Sequence, residues 1–519
     1  MNNSLGIKLS DGSDQWQIDA ILADKFSYRL EEPLSEKWIF YDTFDWRLYN
    51  KSLILYLSGR ELILRGLSNG EYRDGLTCNN WSAFAAGLQE STLKHSLQSI
   101  IGVRSLLILA EIHTIARVYR ILNKEEKTVS RLVYVEARLS PDDPNPPLAT
   151  YLNIQPVRGY PRYTMQLEQD IDPLGFTISM WEDVYRSALK AVRINPGGYS
   201  ADLGLQLDPD QHADQAIRAV LHRLLEIMRA NEAGIKADID TEFLHDYRIA
   251  IRKTRAVLSQ MGDVFPAEVT GRFKKDFAYL GKRSNDLRDL DVYLLAKNKY
   301  RAMLPRDMRE DITPLFTYMK RHRTEALNHV IQGLESGEYA VILQGWKELL
   351  NTQTNDSDTV STAAIPILDL ARKRIFKRYR RIVKDGYKIL ENMQDDQLHA
   401  LRIECKKLRY LIEFFGSLFP RKKVAKLTKQ LKSLQNNLGD FNDLSVQQEY
   451  LLGIAKRLPV HDEYAKRALI ATGYLVDNLA HRQLVVKANF AKTFTDFTAP
   501  ENQKLYYALF DFKKKGRSS

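Results

Sequence analysis

Histidine, arginine and lysine recur at one spacing in two places in this chain. Leu244 to Pro266 reads LHDYRIAIRKTRAVLSQMGDVFP, and Leu398 to Pro420, 154 residues later, reads LHALRIECKKLRYLIEFFGSLFP. Nine of the 23 positions are identical, where unrelated segments would share roughly one or two. At 100° per residue from His245, the side chains of Arg248, Arg252 and Arg255 fall within about 80° of it on one side. His399, Arg402, Lys406 and Arg409 form the same stripe in the second copy. Leu244, Tyr247, Ile251, Leu258 and Met261 occupy the opposite arc of the first, and Leu398, Leu401, Cys405, Leu408, Ile412 and Phe415 that of the second. Each copy therefore predicts a helix with an apolar back and a narrow basic seam headed by histidine. Few acids interleave the seam, whereas an ordinary solvated helix mixes signs through i,i+4 pairs. Arginine offers forked donors to phosphate oxygens and lysine a mobile point charge. That is chemistry for holding a polyanion. A histidine among cations has its protonated form disfavoured, which suits a neutral donor.

The offset extends beyond the seam. Arg218 and Arg223 match Arg372 and Lys377; Leu280, Asp286, Asp289, Leu290 and Val292 match Leu434, Asp440, Asp443, Leu444 and Val446. An ungapped offset over this length argues for internal duplication. The repeated carboxylates, in DLRDLDV and DFNDLSV, can bind metal or do acid–base work. Asp at helix starts also caps free N–H groups, and Asp beside an arginine seam can orient a guanidinium. The chain has no GxxxxGK[ST] loop, no HExxH and no CxxC pair. His95, His113 and His481 are isolated and read as structural.

At 519 residues the chain has room for two or three domains. Its net charge of +11 is unevenly placed. Residues 1–200 carry 22 Lys and Arg against 24 Asp and Glu, while residues 201–519 carry 54 against 41. A polyanionic partner is thus expected for the C-terminal part alone. Cys78 and Cys405 make no disulfide framework and suit a reducing compartment, and Cys405 reads as core. The first residues lack an apolar signal segment, and no apolar run has transmembrane length. A cytoplasmic protein with no membrane partner is expected.

Residues 1–192 read as α+β and strand-rich. Ser52–Leu57, Glu61–Leu64 and Arg131–Leu139 have strand character. Ser105–Ile115 reads as either a strand or a short buried helix. Pro141 to Pro147 is a loop, and 180–192 an amphipathic helix. Residues 193–208 read as a linker. Beyond it the periodicity is helical almost throughout. A first bundle is expected at 209–350, with helices near 211–234, 241–262, 267–285, 287–303, 307–334 and 338–350. A polar loop covers 351–362. A second bundle spans 363–495, with helices near 364–391, 395–417, 422–438, 441–458 and 461–485. Residues 496–519 read as a basic tail ending in Lys513, Lys514, Lys515 and Arg517. The first helix of the second half is dense in positive charge (RKRIFKRYRRIVK, 372–384). Further basic residues follow at Lys274, Lys275, Lys282, Arg283 and Arg288, and at Lys426, Lys429 and Lys432. Two bundles related by duplication can bring the seams face to face as a basic furrow. Such a furrow suits a linear polyanion. The repeated seam lacks aromatics for base stacking and the chain shows no nucleic-acid-binding signature, so a bare phosphate chain fits better than nucleic acid.

With the duplicated LHxxRIxxKKxR–GxxFP unit and the following L…DxxDLxV in view, residues 209–495 resemble the CHAD family, the conserved histidine α-helical domain. The resemblance implies two four-helix-type bundles with pseudo-twofold symmetry that bind inorganic polyphosphate, and association with polyphosphate granules. Carried over by position, the implied contacts are His245, Arg248, Arg252, Lys253 and Arg255, with His399, Arg402, Lys406, Lys407 and Arg409. Arg218, Arg223, Arg372 and Lys377 are second-rank. Tyr41-Asp42-Thr43-Phe44-Asp45-Trp46-Arg47-Leu48 looks like the YDTxDxxL segment of the CYTH (triphosphate tunnel) family, and 131–139 like its later strand with an acidic position, here Glu136. That family opens with an ExExK strand, whereas this chain has Gly6-Ile7-Lys8-Leu9-Ser10-Asp11. The implied N-terminal domain is thus a degenerate, non-catalytic CYTH-like one, with no metal site and no cofactor. The alternative is a triphosphatase or short-polyphosphate hydrolase using Mg2+ or Mn2+, whose remaining carboxylates would be Glu136 and Glu168. A nucleic-acid-binding regulator is the third reading.

Overall fold

The computed structural model describes residues 6–9, 15–143, 145–171, 176–179, 181–352, 362–457 and 463–511. The chain divides into two compact units, Met1–Ala201 and Asp202–Ser519. The division falls inside the segment expected as a linker. Tyr199 packs tilted against Phe44 with ring centroids 4.3 Å apart, and Leu207 N–H donates to Ser417 Oγ at 3.3 Å, so each end of that segment packs on its own unit.

Among the described residues the first unit is a curled antiparallel sheet with four α-helices. In chain order it runs β1 (Gly6–Leu9), α1 (Gln15–Lys25), β2 (Ser27–Leu30), β3 (Leu34–Asp42), β4 (Leu53–Ser58), β5 (Glu61–Gly66), β6 (Tyr72–Thr77), α2 (Thr92–Ile101), β7 (Leu107–Leu122), β8 (Thr128–Arg138), β9 (Ala149–Pro156), α3 (Pro161–Ile171), β10 (Phe176–Ser179) and α4 (Trp181–Ala191). The strand order is β10-β1-β9-β8-β7-β3-β4-β5-β6, with β2 also paired to β7. Ser105–Ile115, ambiguous in the sequence, falls largely within β7, a 16-residue strand. Its even and odd positions feed opposite faces, as a period of two requires. Ala110 and Ile112 join Trp38, Phe40 and Tyr56 under α4, whose Trp181, Val184, Tyr185 and Ala188 fill that face. Tyr119 and Ile121 join Leu132 and Tyr134 under α1 and α3.

The second unit is all-helical: α5 (Ala213–Lys236), α6 (Thr241–Met261), α7 (Ala267–Arg283), α8 (Asn285–Leu295), α9 (Lys297–Met303), α10 (Thr313–Leu334), α11 (Gly337–Asn351), α12 (Ile367–Glu391), α13 (Asp395–Phe415), α14 (Arg421–Ala455), α15 (Glu463–Ala488), α16 (Phe490–Phe497) and α17 (Pro500–Phe510). The duplication is visible in how the halves meet. His212 and Pro366, one repeat length apart, form an antiparallel bridge, flanked by Ala213 N–H to Ile365 O and Ile367 N–H to Gln211 O, both 3.0 Å. Pairing of a residue with its own repeat-mate is what a local twofold produces.

Two differences from the sequence reading stand out. The expected helices 422–438 and 441–458 are one 35-residue helix, α14. Gly439 and Asp440 lie in the expected gap, but Leu431, Leu434, Leu438 and Phe441 keep one buried stripe across them, and that packing outweighs the ~1 kcal/mol helix cost of a glycine. The first half does break, at Ser284 between α7 and α8. Part of the segment expected as a basic tail is the helix α17, because Tyr506 stacks on Tyr379 at 3.8 Å and Phe510 packs edge-on against Phe419 at 4.9 Å. Lys513, Lys514, Lys515 and Arg517, and most of the loop at 351–362, lie outside the described residues.

Candidate functional site

The two seam helices, α6 and α13, pack against each other. Their contact is held by an ion pair between buried Lys253 and exposed Glu413 and by Gln260 Nε2 donating to the Lys407 carbonyl at 3.3 Å. Each helix starts on an acidic first turn that complements its dipole. In α6, Asp240 caps by accepting Glu242 N–H at 2.9 Å. Each ends in a short 3-10 turn before Phe265-Pro266 or Phe419-Pro420, and both phenylalanines are buried. The apolar arcs lie in the core as their spacing requires, with Ile251, Leu258, Met261, Cys405 and Leu408 fully buried.

The seams come together electrostatically. Lys406 is half-buried, and its pKa is brought down to about 8 by burial first, then by the charges of Arg402 and Arg252, with Asp443 opposing. Arg252 belongs to the other repeat and is exposed. Arg248 is brought down to about 10 by burial and Arg252, with Asp289 opposing. Burial lowers Arg288 as well, with Glu242 and Asp291 raising it and Arg252 among the lowering charges. The charge of Arg252 thus acts on cations of α6, α8 and α13.

The other cations expected on the seam have particular partners. Arg248 donates to Gly281 O (3.0 Å), Ser284 Oγ (2.7 Å) and Asn285 Oδ1 (2.8 Å), and so fills the break between α7 and α8. Arg402 donates through Nη2 to Asp443 Oδ1 at 2.8 Å, while its buried Nε finds no hydrogen-bond partner among the described residues. His399 Nδ1 lies 2.5 Å from Asn442 Oδ1, which makes that nitrogen the donor and leaves Nε2 outward. His245 is half-buried, and Arg255 and Arg409 are exposed. Lys253 is buried in its pair with Glu413. Lys407 turns toward α12, 2.9 Å from Glu404, which also pairs with Arg378. Burial pushes Glu404 up, but the bonds from Lys407 and Arg378 prevail and its pKa is lowered.

The second-rank cations have other surroundings. Arg218 donates to the Leu349 carbonyl at the end of α11 and lies over the Phe265 ring. Arg223 pairs with Glu226 at 3.0 Å. Arg372 is 3.8 Å from Asp369, and Lys377 is exposed on α12.

The repeated aspartates are not equivalent. Asp286 lies in the first turn of α8, but Asp440 and Asp443 are in the interior of α14, so capping cannot be their shared role. Burial raises Asp289, with Arg248 opposing, and Asp443 orients Arg402. Sequence reasoning missed Asn442. It stands where the first copy has Arg288, so one copy adds a cation at the position where the other binds its histidine. The non-identical position inside DLRDLDV and DFNDLSV was the available signal.

In the first unit, the YDTxDxxL-like segment builds a turn. Buried Asp42 accepts the N–H groups of Thr43 (2.7 Å), Leu48 (3.0 Å) and Tyr49 (2.9 Å), and burial raises its pKa to about 6 despite them. Asp45 pairs with Arg47 and with fully buried Arg104. Glu136 lies between Arg138 at 3.1 Å and Arg117 at 3.7 Å, whereas Glu168 is exposed on α3. The two carboxylates are not brought into a shared cluster, and among the described residues no group of three His, Cys, Asp or Glu has a metal-holding arrangement.

Comparison with known proteins agrees with this anatomy. Residues 219–452 match the CHAD domain family; the helical unit carries a CHAD domain. The strand-rich unit is consistent with a CYTH-like domain. Two curated proteins of Mycobacterium tuberculosis, the uncharacterized proteins MT2285 and Rv2226, are each 23% identical over 249 residues, 47% of this chain and 46% of theirs. The matched stretch spans about half the length of these relatives. Among solved structures, the CHAD domain from the plant Ricinus communis aligns with a TM-score of 0.48 at 23% identity, covering 57% of this chain and 96% of that one. PptA from Streptomyces chartreusis aligns with a TM-score of 0.43 at 13% identity, covering 55% and 100%. Among the described residues no helix is long and apolar enough to cross a membrane.

Proposed function

We propose that the helical unit binds inorganic polyphosphate along the seam where α6 meets α13, and that the protein acts at polyphosphate granules. The observation that carries this reading is the packing of α6 against α13 through Lys253–Glu413 and Gln260–Lys407, which brings the two basic stripes near each other; burial, then Arg402 and Arg252, lower the Lys406 pKa accordingly. Holding like charges together lowers stability unless an anion occupies the space between them. Arg402 has a buried donor without a hydrogen-bond partner among the described residues, and the repeated seam positions are all His, Arg or Lys, with no aromatic for a base to stack on. A bare phosphate chain supplies closely spaced anionic oxygens and needs neither base edges nor stacking. The test is titration of the full chain with long-chain polyphosphate across a salt series, with single-stranded DNA as competitor. Steep salt dependence is expected of any polyanion, so competition decides: polyphosphate held against excess DNA supports the reading, and displacement at matched phosphate concentration refutes it.

A further inference from the structure

A second basic surface lies on α12. Lys373, Lys377, Arg380 and Lys384 are all exposed and follow one another at spacings of four, three and four residues, which sets them on one helical face. They span about 16 Å of helix axis. No carboxylate among the described residues pairs with any of the four. Neighbouring Arg381, by contrast, is shared between Asp385 at 3.4 Å and Glu404 at 3.7 Å. The corresponding face of α5 in the first repeat lacks this file, reading Ala219, Arg223, Glu226 and Ala230, so the feature is not a by-product of the duplication.

The file borders a groove of about 800 Å3 between α12 and α17. What separates it from the seam is its wall. Phe376, Tyr507 and Phe510 line it together with the cations. Tyr507 remains 45% exposed, standing edge-on to Phe376 at 5.0 Å, so one ring is open to a flat partner. Asp385 and Asp511 are the acids at its margin.

We infer that this groove is a binding site for single-stranded nucleic acid, distinct from the polyphosphate seam. A file of unpaired cations about one helical turn apart follows a phosphodiester backbone, and an exposed aromatic beside it gives a base a face to stack on, the combination used by sequence-tolerant single-strand binders. A bare phosphate chain would use the cations and leave the aromatic wall without a role.

The test uses the full chain and two probes of equal length and charge, a fluorescent oligothymidylate and its abasic counterpart. Oligothymidylate should bind about tenfold more tightly, the scale of one stacked base. Tyr507→Leu keeps an apolar contact for Phe376 and should remove that preference while leaving abasic binding unchanged. Arg380→Glu combined with Lys384→Glu should weaken both probes by more than tenfold. Equal binding of the two probes by the parent chain, or unchanged oligothymidylate binding in the charge-reversed variant, overturns the inference. Its failure is separable from failure of the seam reading, which is judged on polyphosphate binding by variants at Arg252 and Lys406.

Discussion

Lys406 and Arg252 hold the same position in the two repeats, and the charge of Arg252 acts on Lys406. After burial and the adjacent Arg402, the Arg252 charge helps bring the Lys406 pKa down to about 8. The duplicated helix therefore confronts its own basic stripe with a copy of itself. An arrangement that repels itself in the free protein is suited to a ligand of opposite charge.

The first prediction concerns protons. A polyanion beside Lys406 favours its charged form and raises its pKa, so binding near and above pH 8 takes up a proton. Polyphosphate affinity should be flat below pH 8 and fall as pH rises through it. Calorimetry in buffers of different ionisation enthalpy should show the uptake, and Lys406→Met should abolish it. The stability sign is also fixed. The folded pKa lies below the ordinary 10.5, so the unfolded chain binds more protons between about pH 8 and 10.5 and stability rises across that window. Lys406→Met should raise Tm at pH 7 by about 1–3 °C, small because solvent screens a half-buried group, with the gain shrinking toward pH 10.

A second prediction separates seam cations from packed ones. Lys253 has a side chain 7% exposed and paired with Glu413, which is 34% exposed. Glu413→Gln should destabilise the helical unit by about 2–3 kcal/mol, because it strands a buried ammonium. Replacing both, Lys253→Met with Glu413→Leu, should recover most of the loss. Denaturant midpoints by circular dichroism measure both. The salt slope of polyphosphate binding should not change in the double variant.

The two copies of the first seam arginine should differ in what they stabilise. Arg248 makes three hydrogen bonds across the α7–α8 break, whereas Arg402 is bonded to Asp443, itself 59% exposed. Arg248→Gln should cost about 2 kcal/mol and Arg402→Gln about 0.5 kcal/mol, read as shifts in the urea midpoint. Equal costs would mean that the break at Ser284 does not depend on Arg248.

How much of this was legible in the sequence depends on what each feature needs. The seam and its apolar back follow from helical phase within one element, so residues from His245 to Phe265 announced themselves. The action of the Arg252 charge on Lys406 depends on how two distant helices cross, and no local pattern encodes that. The position of Lys253 was misleading because it shares the basic run, although its phase turns it into the contact between α6 and α13. In the strand-rich unit, β3 escaped notice because its first four residues are exposed and so show no alternation. β6 (YRDGLT) is polar and glycine-containing, and reads locally as turn. The ambiguity at 105–115 arose because apolar residues stand on both faces there, including Ile108, which is 57% exposed, so hydrophobicity lacks a clean period of two although burial alternates.

The most direct test of the central claim is polyphosphate binding by the full-length Arg252→Glu, Lys406→Glu and doubly reversed chains over a salt series. Each single change should weaken binding and lower the slope of log affinity against log salt by about one, with a larger loss in the double variant. A double variant that binds polyphosphate with the affinity and salt slope of the parent would contradict the account.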